Sequence, residues 1–185
     1  MSSIRHQQQS NGRELREQDG QAVNRAWDGI PARIFLQPVA APSVLGLFGF
    51  AGATNRFWPA ATDSRLLTRA RDPLHALLVD GVGMTDLVKR ATPGTKDLEP
   101  AEYRSGAQRV ERLVGWLRPG VVVFVGLEGW RAAIDRHAQP GLQPSDFGGA
   151  PAYVMPSTSG LNAHARLSDL VAHLRAAAAL SAEGR

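Results

Sequence analysis

The chain has 185 residues, of which 43% are hydrophobic and 21% charged, ordinary globular values for a length that can bury one sizeable core. It contains no cysteine, which excludes disulfides, thiolate-held zinc and iron–sulfur clusters. Its net charge of +4, from 21 basic and 17 acidic residues, is compatible with a nucleic-acid partner without requiring one.

Residues 1–22 are polar and carry no hydrophobic period. The run Gln7-Gln8-Gln9-Ser10-Asn11-Gly12 cannot support a core, so a disordered or loosely attached tail is expected there, with a single domain over 23–185. The N-terminus has no apolar signal core, which makes the cytoplasm the expected location. A first strand is expected over 33–37, followed by a loop from Pro38 to Ser43 because two prolines fall within it. An apolar, glycine-rich loop over 46–54 holds Phe48 and Phe50; it is either a core-packing loop or a stacking platform. Asn55 then suits an N-cap before Arg56-Phe57-Trp58. Asp72-Pro73 opens a second helix with Leu74, Leu77 and Leu78 on one face and Gly81 beyond its end. Residues 82–88 read as a short strand or turn entering the sheet, and 91–98 as a loop.

Pro100 suits the first turn of a long helix whose buried face is Tyr103, Ala107, Val110, Leu113, Val114 and Leu117. After the turn Arg118-Pro119-Gly120, the unbroken run Val121-Val122-Val123-Phe124-Val125 is expected to be a central parallel strand covered on both faces. That run is the longest apolar stretch and is far too short to span a bilayer, so no membrane partner is expected. A short helix is read over 130–137 and a loop over 141–149. Ala152-Tyr153-Val154-Met155 reads as a short buried strand. A last helix carries Leu167, Leu170, Val171 and Leu174 on one face and frays over 176–185. Strands alternating with crossover helices predict an α/β fold: a three-layer α/β/α sandwich around a mainly parallel, four-stranded sheet. No internal repeat, dinucleotide fingerprint or Walker-type loop is visible.

The loop Pro156-Ser157-Thr158-Ser159-Gly160-Leu161-Asn162-Ala163-His164 joins the last strand to the last helix. In open α/β sheets ligands bind at the carboxyl ends of strands. A small, polar loop there can turn backbone N–H groups and hydroxyls toward an anion. Leu161 does not fit that description. It either folds back onto the core or serves a partner outside the chain.

These residues resemble the second signature motif of the mismatch-specific uracil/thymine DNA glycosylases, within the uracil-DNA glycosylase superfamily. Further blocks resemble that family in collinear order. They are Phe50-Ala51-Gly52 with Asn55-Arg56-Phe57-Trp58, Gly83-Met84-Thr85-Asp86-Leu87-Val88-Lys89-Arg90, Thr92-Pro93-Gly94-Thr95-Lys96-Asp97-Leu98 with Tyr103-Arg104-Ser105-Gly106, and Gly141-Leu142-Gln143-Pro144. The lack of cysteine argues against the related branches that carry an iron–sulfur cluster.

The resemblance implies a monofunctional glycosylase that hydrolyses the bond between a mispaired or damaged pyrimidine and its deoxyribose. It implies a duplex DNA partner carrying such a base, no cofactor, no metal and a monomer. Ser157, Thr158 and Ser159 would hold phosphate or the extruded nucleotide, with Gly160, Asn162 and His164 in the same loop. Leu161 would fill the hole left by the flipped base, recovering part of the unstacking cost. Phe50 corresponds to the family's stacking phenylalanine, and Lys89, Arg90 and Arg166 would add a basic rim.

One departure bears on catalysis. The family's Gly-(Ile/Val)-Asn-Pro-Gly motif, whose Asn positions water, should follow the first strand. Gln37-Pro38-Val39-Ala40-Ala41-Pro42-Ser43 stands there instead, with no Asn. Gln37 is the nearest amide and reads as a strand-terminal polar residue. Asp86 is the remaining candidate catalytic group, its alternatives being a helix N-cap or an ion pair with Lys89 or Arg90. Three functions therefore stand side by side: an active glycosylase with a substituted catalytic group, a family member that binds flipped-base DNA without cleaving it, and an unrelated α/β protein holding a phosphorylated metabolite at 157–160. The third expects Leu161 to be buried.

Overall fold

The computed structural model describes residues 33–40, 50, 54–91 and 97–183, and of 33–40, 91 and 182–183 only the backbone. All of them belong to one unit, Pro31–Arg185. The tail expected over 1–22 and most of the loop over 41–49 and 51–53 lie outside the described residues.

Strand β1 spans Arg33–Ala40 and runs through Pro38, where a loop was expected. The pairing explains why proline is tolerated. β1 pairs with β3 (Val121–Val125) only from Arg33 to Leu36, so beyond Leu36 it has β2 (Val82–Ala91) as its one neighbour. A missing N–H disturbs a ladder least where the strand is bonded on one side. β2 is longer than the expected 82–88. Val39 pairs with Val88 but Ala40 with Ala91, so Lys89 and Arg90 are inserted on β2 as a bulge that prolongs and bends the strand.

β5 (Ala152–Met155) lies on the far side of β3, and β4 (Gly141–Leu142) is an antiparallel edge beside it. The order is β2-β1-β3-β5-β4, so the sheet has five strands, four of them parallel. β4 interrupts the loop expected over 141–149, since two residues carry no periodicity; Leu142 gains its place only by pairing with Tyr153. The strand order reverses between β1 and β3, and their carboxyl ends flank the crevice where such sheets bind ligands.

Helices cover both faces. Val121, Val123, Val125, Tyr153 and Met155 point to one face and pack with residues of α1 (Phe57–Asp63) and α5 (Leu167–Glu183). Val122, Phe124, Ala152 and Val154 point to the other, against α3 (Pro100–Leu117) and α4 (Leu127–Ala133). This is the period-two alternation of a strand buried on both sides. α3 begins and ends where proline and the apolar spacing predicted, although Leu113 and Leu117 are only half-buried. It approaches β2 so closely that a Cβ on Gly106 would lie 2.1 Å from the Leu87 carbonyl oxygen.

Three other expectations shift. α4 covers Leu127–Ala133 rather than 130–137, starting directly from Gly126, whose φ of 104° turns the chain out of β3. α5 continues to Glu183 rather than fraying from 176, because Ala177 remains in the core and Ser181 is buried, close to Gly120. α2 (Pro73–Leu78) buries Ala76, whereas Leu74 and Leu78 are exposed. Among the described residues no helix is long and apolar enough to cross a membrane.

Candidate functional site

Strand register brings the candidate residues to one edge. Gln37 pairs with Asp86. Leu36 pairs with Phe124, so Gln37 stands level with Val125, which itself pairs with Met155. Asp86, Gln37, Val125 and Met155 thus form one row across the sheet, at the carboxyl ends of β3 and β5. Val82 and Met84 pack into the cluster that contains Phe50, Phe57 and Met155. Asp86 follows two residues beyond Met84, and Leu87 and Val88 after it pack into the cluster on the other face.

Asp86 is buried at 6% exposure, and Lys89 Nζ donates to its Oδ2 at 3.0 Å. The bulge explains how a residue three further along a strand folds back to reach it. The helix-cap alternative falls, since Asp86 lies within a strand; of the two ion-pair alternatives Lys89 holds. Arg90 is committed elsewhere: it donates to Glu102 at 2.8 and 3.0 Å and to the Asp97 carbonyl at 2.7 Å. The Arg90 hydrogen bond, aided by the Glu99 N–H, holds the Glu102 carboxyl down at about 2. Arg109 Nη2 donates to the backbone oxygens of Asp86 and Leu87 at 2.5 and 3.4 Å, fixing the strand on which Asp86 sits.

Phe50 is 3% exposed, and its ring stacks on Phe57 with centroids 3.9 Å apart and planes 16° apart. Its φ of 60° is unusual for a bulky residue and marks a turn. Trp58 meets Phe57 edge-on at 5.5 Å. Asn55 accepts from the Phe57 N–H at 2.9 Å, so it does cap the entry to α1, one position earlier than a standard N-cap.

The loop over 156–166 is held mainly by its own polar groups. Ser157 Oγ accepts from the Ser159 N–H, and Ser159 Oγ accepts from the Leu161 N–H, both at 3.3 Å. Asn162 Nδ2 donates to the Ser157 carbonyl at 2.9 Å, and its Oδ1 accepts from the His164 N–H at 3.2 Å. Thr158 is buried. Leu161, at the tip, is 96% exposed and does not fold back onto the core. His164 and Arg166 are exposed beside it.

A contribution the sequence reading missed comes from the entry to α1. Arg56 donates through Nη2 to the carbonyls of Ser159 and Asn162, at 3.1 and 2.7 Å, and through Nη1 to that of Ala165. Its own N–H donates to the Thr158 carbonyl at 2.9 Å. Gly160 lies so close to this segment that an added Cβ would sit 2.7 Å from Thr54 side-chain atoms and 2.8 Å from its carbonyl oxygen. No local signal could have found these contacts, because the three guanidinium partners are 103, 106 and 109 residues away.

Beneath the same face, Tyr153 Oη and His173 Nδ1 lie 2.8 Å apart. Burial pushes the Tyr153 hydroxyl up and the His173 imidazole down, the latter opposed in part by Asp169. Both shifts favour the neutral phenol and the neutral imidazole.

These features define an α/β protein with its candidate site at the carboxyl edge of a parallel sheet, where a self-bonded polar loop presents one bare aliphatic side chain. No family model matches the chain. A curated protein of Schizosaccharomyces pombe, the G/U mismatch-specific uracil DNA glycosylase, is 30% identical to it over 138 residues, covering 68% of this chain. The chain spans 42% of that relative's length. The chain belongs to the mismatch-specific uracil/thymine DNA glycosylase family.

Proposed function

We propose that the protein is a monofunctional DNA glycosylase that hydrolyses the N-glycosidic bond of uracil, or of a mispaired thymine or damaged pyrimidine, flipped out of duplex DNA. The observation that carries this reading is the 96% exposure of Leu161 at the tip of a braced loop. Exposing a leucine so fully leaves its burial free energy unused until a partner covers it, and a gap in a base stack is an apolar partner of that size. The similarity to a protein named for G/U mismatches supports the same substrate. Exposure of Leu161 counts against the metabolite-binding alternative, which needs that side chain buried.

In this reading Leu161 enters the stack. Ser157, Thr158, Ser159, Gly160, Asn162 and His164 shape the loop that meets the strand, and Arg166 supplies charge toward phosphates, while the charge of Lys89 is largely taken up by Asp86. Arg90 contributes less because Glu102 already neutralises it. Phe50 takes the base-stacking role that the family resemblance implies, although in the free protein its ring is buried against Phe57. Asp86 orients the attacking water and stabilises the positive charge that develops on the sugar as the base departs with the bonding electrons. Its place level with Gln37, Val125 and Met155, the row from which the loop leaves the sheet, supports that role.

The decisive experiment is a single-turnover assay on a duplex with one G·U pair, beside the same duplex with G·C. Formation of abasic sites in the first alone is expected. The absence of Asn from residues 37–43 favours a second reading, a member that binds flipped-base DNA without cleavage. No abasic product in long incubations, together with tighter binding to the G·U duplex, would select it.

A further inference from the structure

We propose that Arg56 is a positioning residue that holds the 157–165 loop in the form that presents Leu161, and so sets discrimination between mismatched and intact duplex. The inference rests on the glycosylase reading for its DNA half and on geometry alone for its structural half.

The loop lacks regular secondary structure, so its carbonyls depend on side chains and on a single turn bond, from the Asn162 N–H to the Ser159 carbonyl at 3.0 Å. Three of them, on Ser159, Asn162 and Ala165, converge on one guanidinium. They bracket Leu161: one lies two residues before it, one directly after it and one four residues after it. Only a planar fork with several donors in fixed directions can span such a set; an ammonium carries the same charge without the geometry. The Arg56 N–H ties the same loop through Thr158, and the close approach of Gly160 to Thr54 seats the tip on the segment that carries Arg56. Arg56 is itself anchored where α1 begins, next to Phe57 and Trp58, both buried in the core. The guanidinium therefore ties to the core a loop otherwise held mainly by its own polar groups. Without it, the exposed leucine would sample many directions, and ordering them on DNA would cost affinity for the mismatch selectively.

Arg56→Lys and Arg56→Ala test this, with Leu161→Ala as the reference. Amide hydrogen exchange of peptides covering 157–165 in the free protein reads the brace without DNA. Exchange at least tenfold faster in Arg56→Lys, with the rest of the sheet unchanged, is expected. Binding to G·U and G·C duplexes reads the consequence. Arg56→Lys should keep the affinity for G·C duplex and its salt dependence, and should lose about tenfold of the preference for G·U. Combining it with Leu161→Ala should add little further loss, since both act through one contact. Unchanged exchange in Arg56→Lys overturns the proposal, as does faster exchange with full mismatch preference. If Arg56→Ala does not fold, Arg56→Lys still decides. A wild-type protein with no G·U preference would overturn the DNA reading, while faster exchange in Arg56→Lys would still establish the brace.

Discussion

Truncating Leu161 is the most direct test of what its loop does. At 96% exposure the side chain gives almost nothing to the fold, so Leu161→Ala should leave stability within about 0.5 kcal/mol of wild type, the usual range for surface substitutions. A wedge buried in a base stack would behave differently on DNA. The substitution removes three carbons, and at roughly 0.8 kcal/mol for each buried methylene the full loss is about 2.4 kcal/mol, on the order of 60-fold in Kd. Incomplete burial in the stack lowers that figure, so a loss between about 10- and 60-fold is expected. Fluorescence anisotropy at fixed salt, on a G·U duplex and on its G·C counterpart, measures it. The G·C duplex opens no gap, so its affinity should change less than about twofold. Equal weakening on both duplexes would refute the wedge argument and leave Leu161 a general contact. A lowered melting temperature would show instead that the tip supports the fold.

Phe50→Leu keeps most of the buried bulk but removes the aromatic face, worth about 1–3 kcal/mol per stacked base. The single-turnover rate should fall at least tenfold with only a small change in melting temperature; an unchanged rate would leave Phe50 as a core residue against Phe57. Asp86→Asn should lower the single-turnover rate by roughly 10²-fold or more, the scale for removing an acid–base group, while affinity for a flipped-base mimic stays level. An equal rate would make the Asp86–Lys89 pair structural. Burial lowers the His173 pKa below its ordinary 6.5, so the unfolded chain binds more protons than the folded one just below that value. Stability should therefore fall as pH drops from about 6.5 through the folded pKa. Melting curves of His173→Gln between pH 5 and 7 should lose that slope, and a slope identical to wild type would assign it to other groups.

Much of the scaffold is legible along the chain because its signals are local. Five consecutive apolar residues at 121–125 identify a strand covered on both faces. Proline at position 100 and apolar residues at helical spacing through 114 delimit α3. Small polar residues at 156–164, between a buried strand and an amphipathic helix, mark the loop as a site, and the ordered blocks around it point to the family that the similarity to the Schizosaccharomyces pombe protein supports.

Other features have no local signature, since they are decided by what lies opposite in space. Pro38 continues β1 only because β3 has stopped pairing there. Leu142 is a strand residue only because Tyr153 stands beside it. Lys89 reaches Asp86 because two residues are inserted against a single step of β1. The exposure of Leu161 and the three carbonyls on Arg56 belong to the same class. Hydrophobic periodicity and turn chemistry act over a few residues and can be read along the chain. Strand register, bulges and side-chain bonds across a hundred residues depend on the whole chain being folded, and so only the tertiary structure decides them.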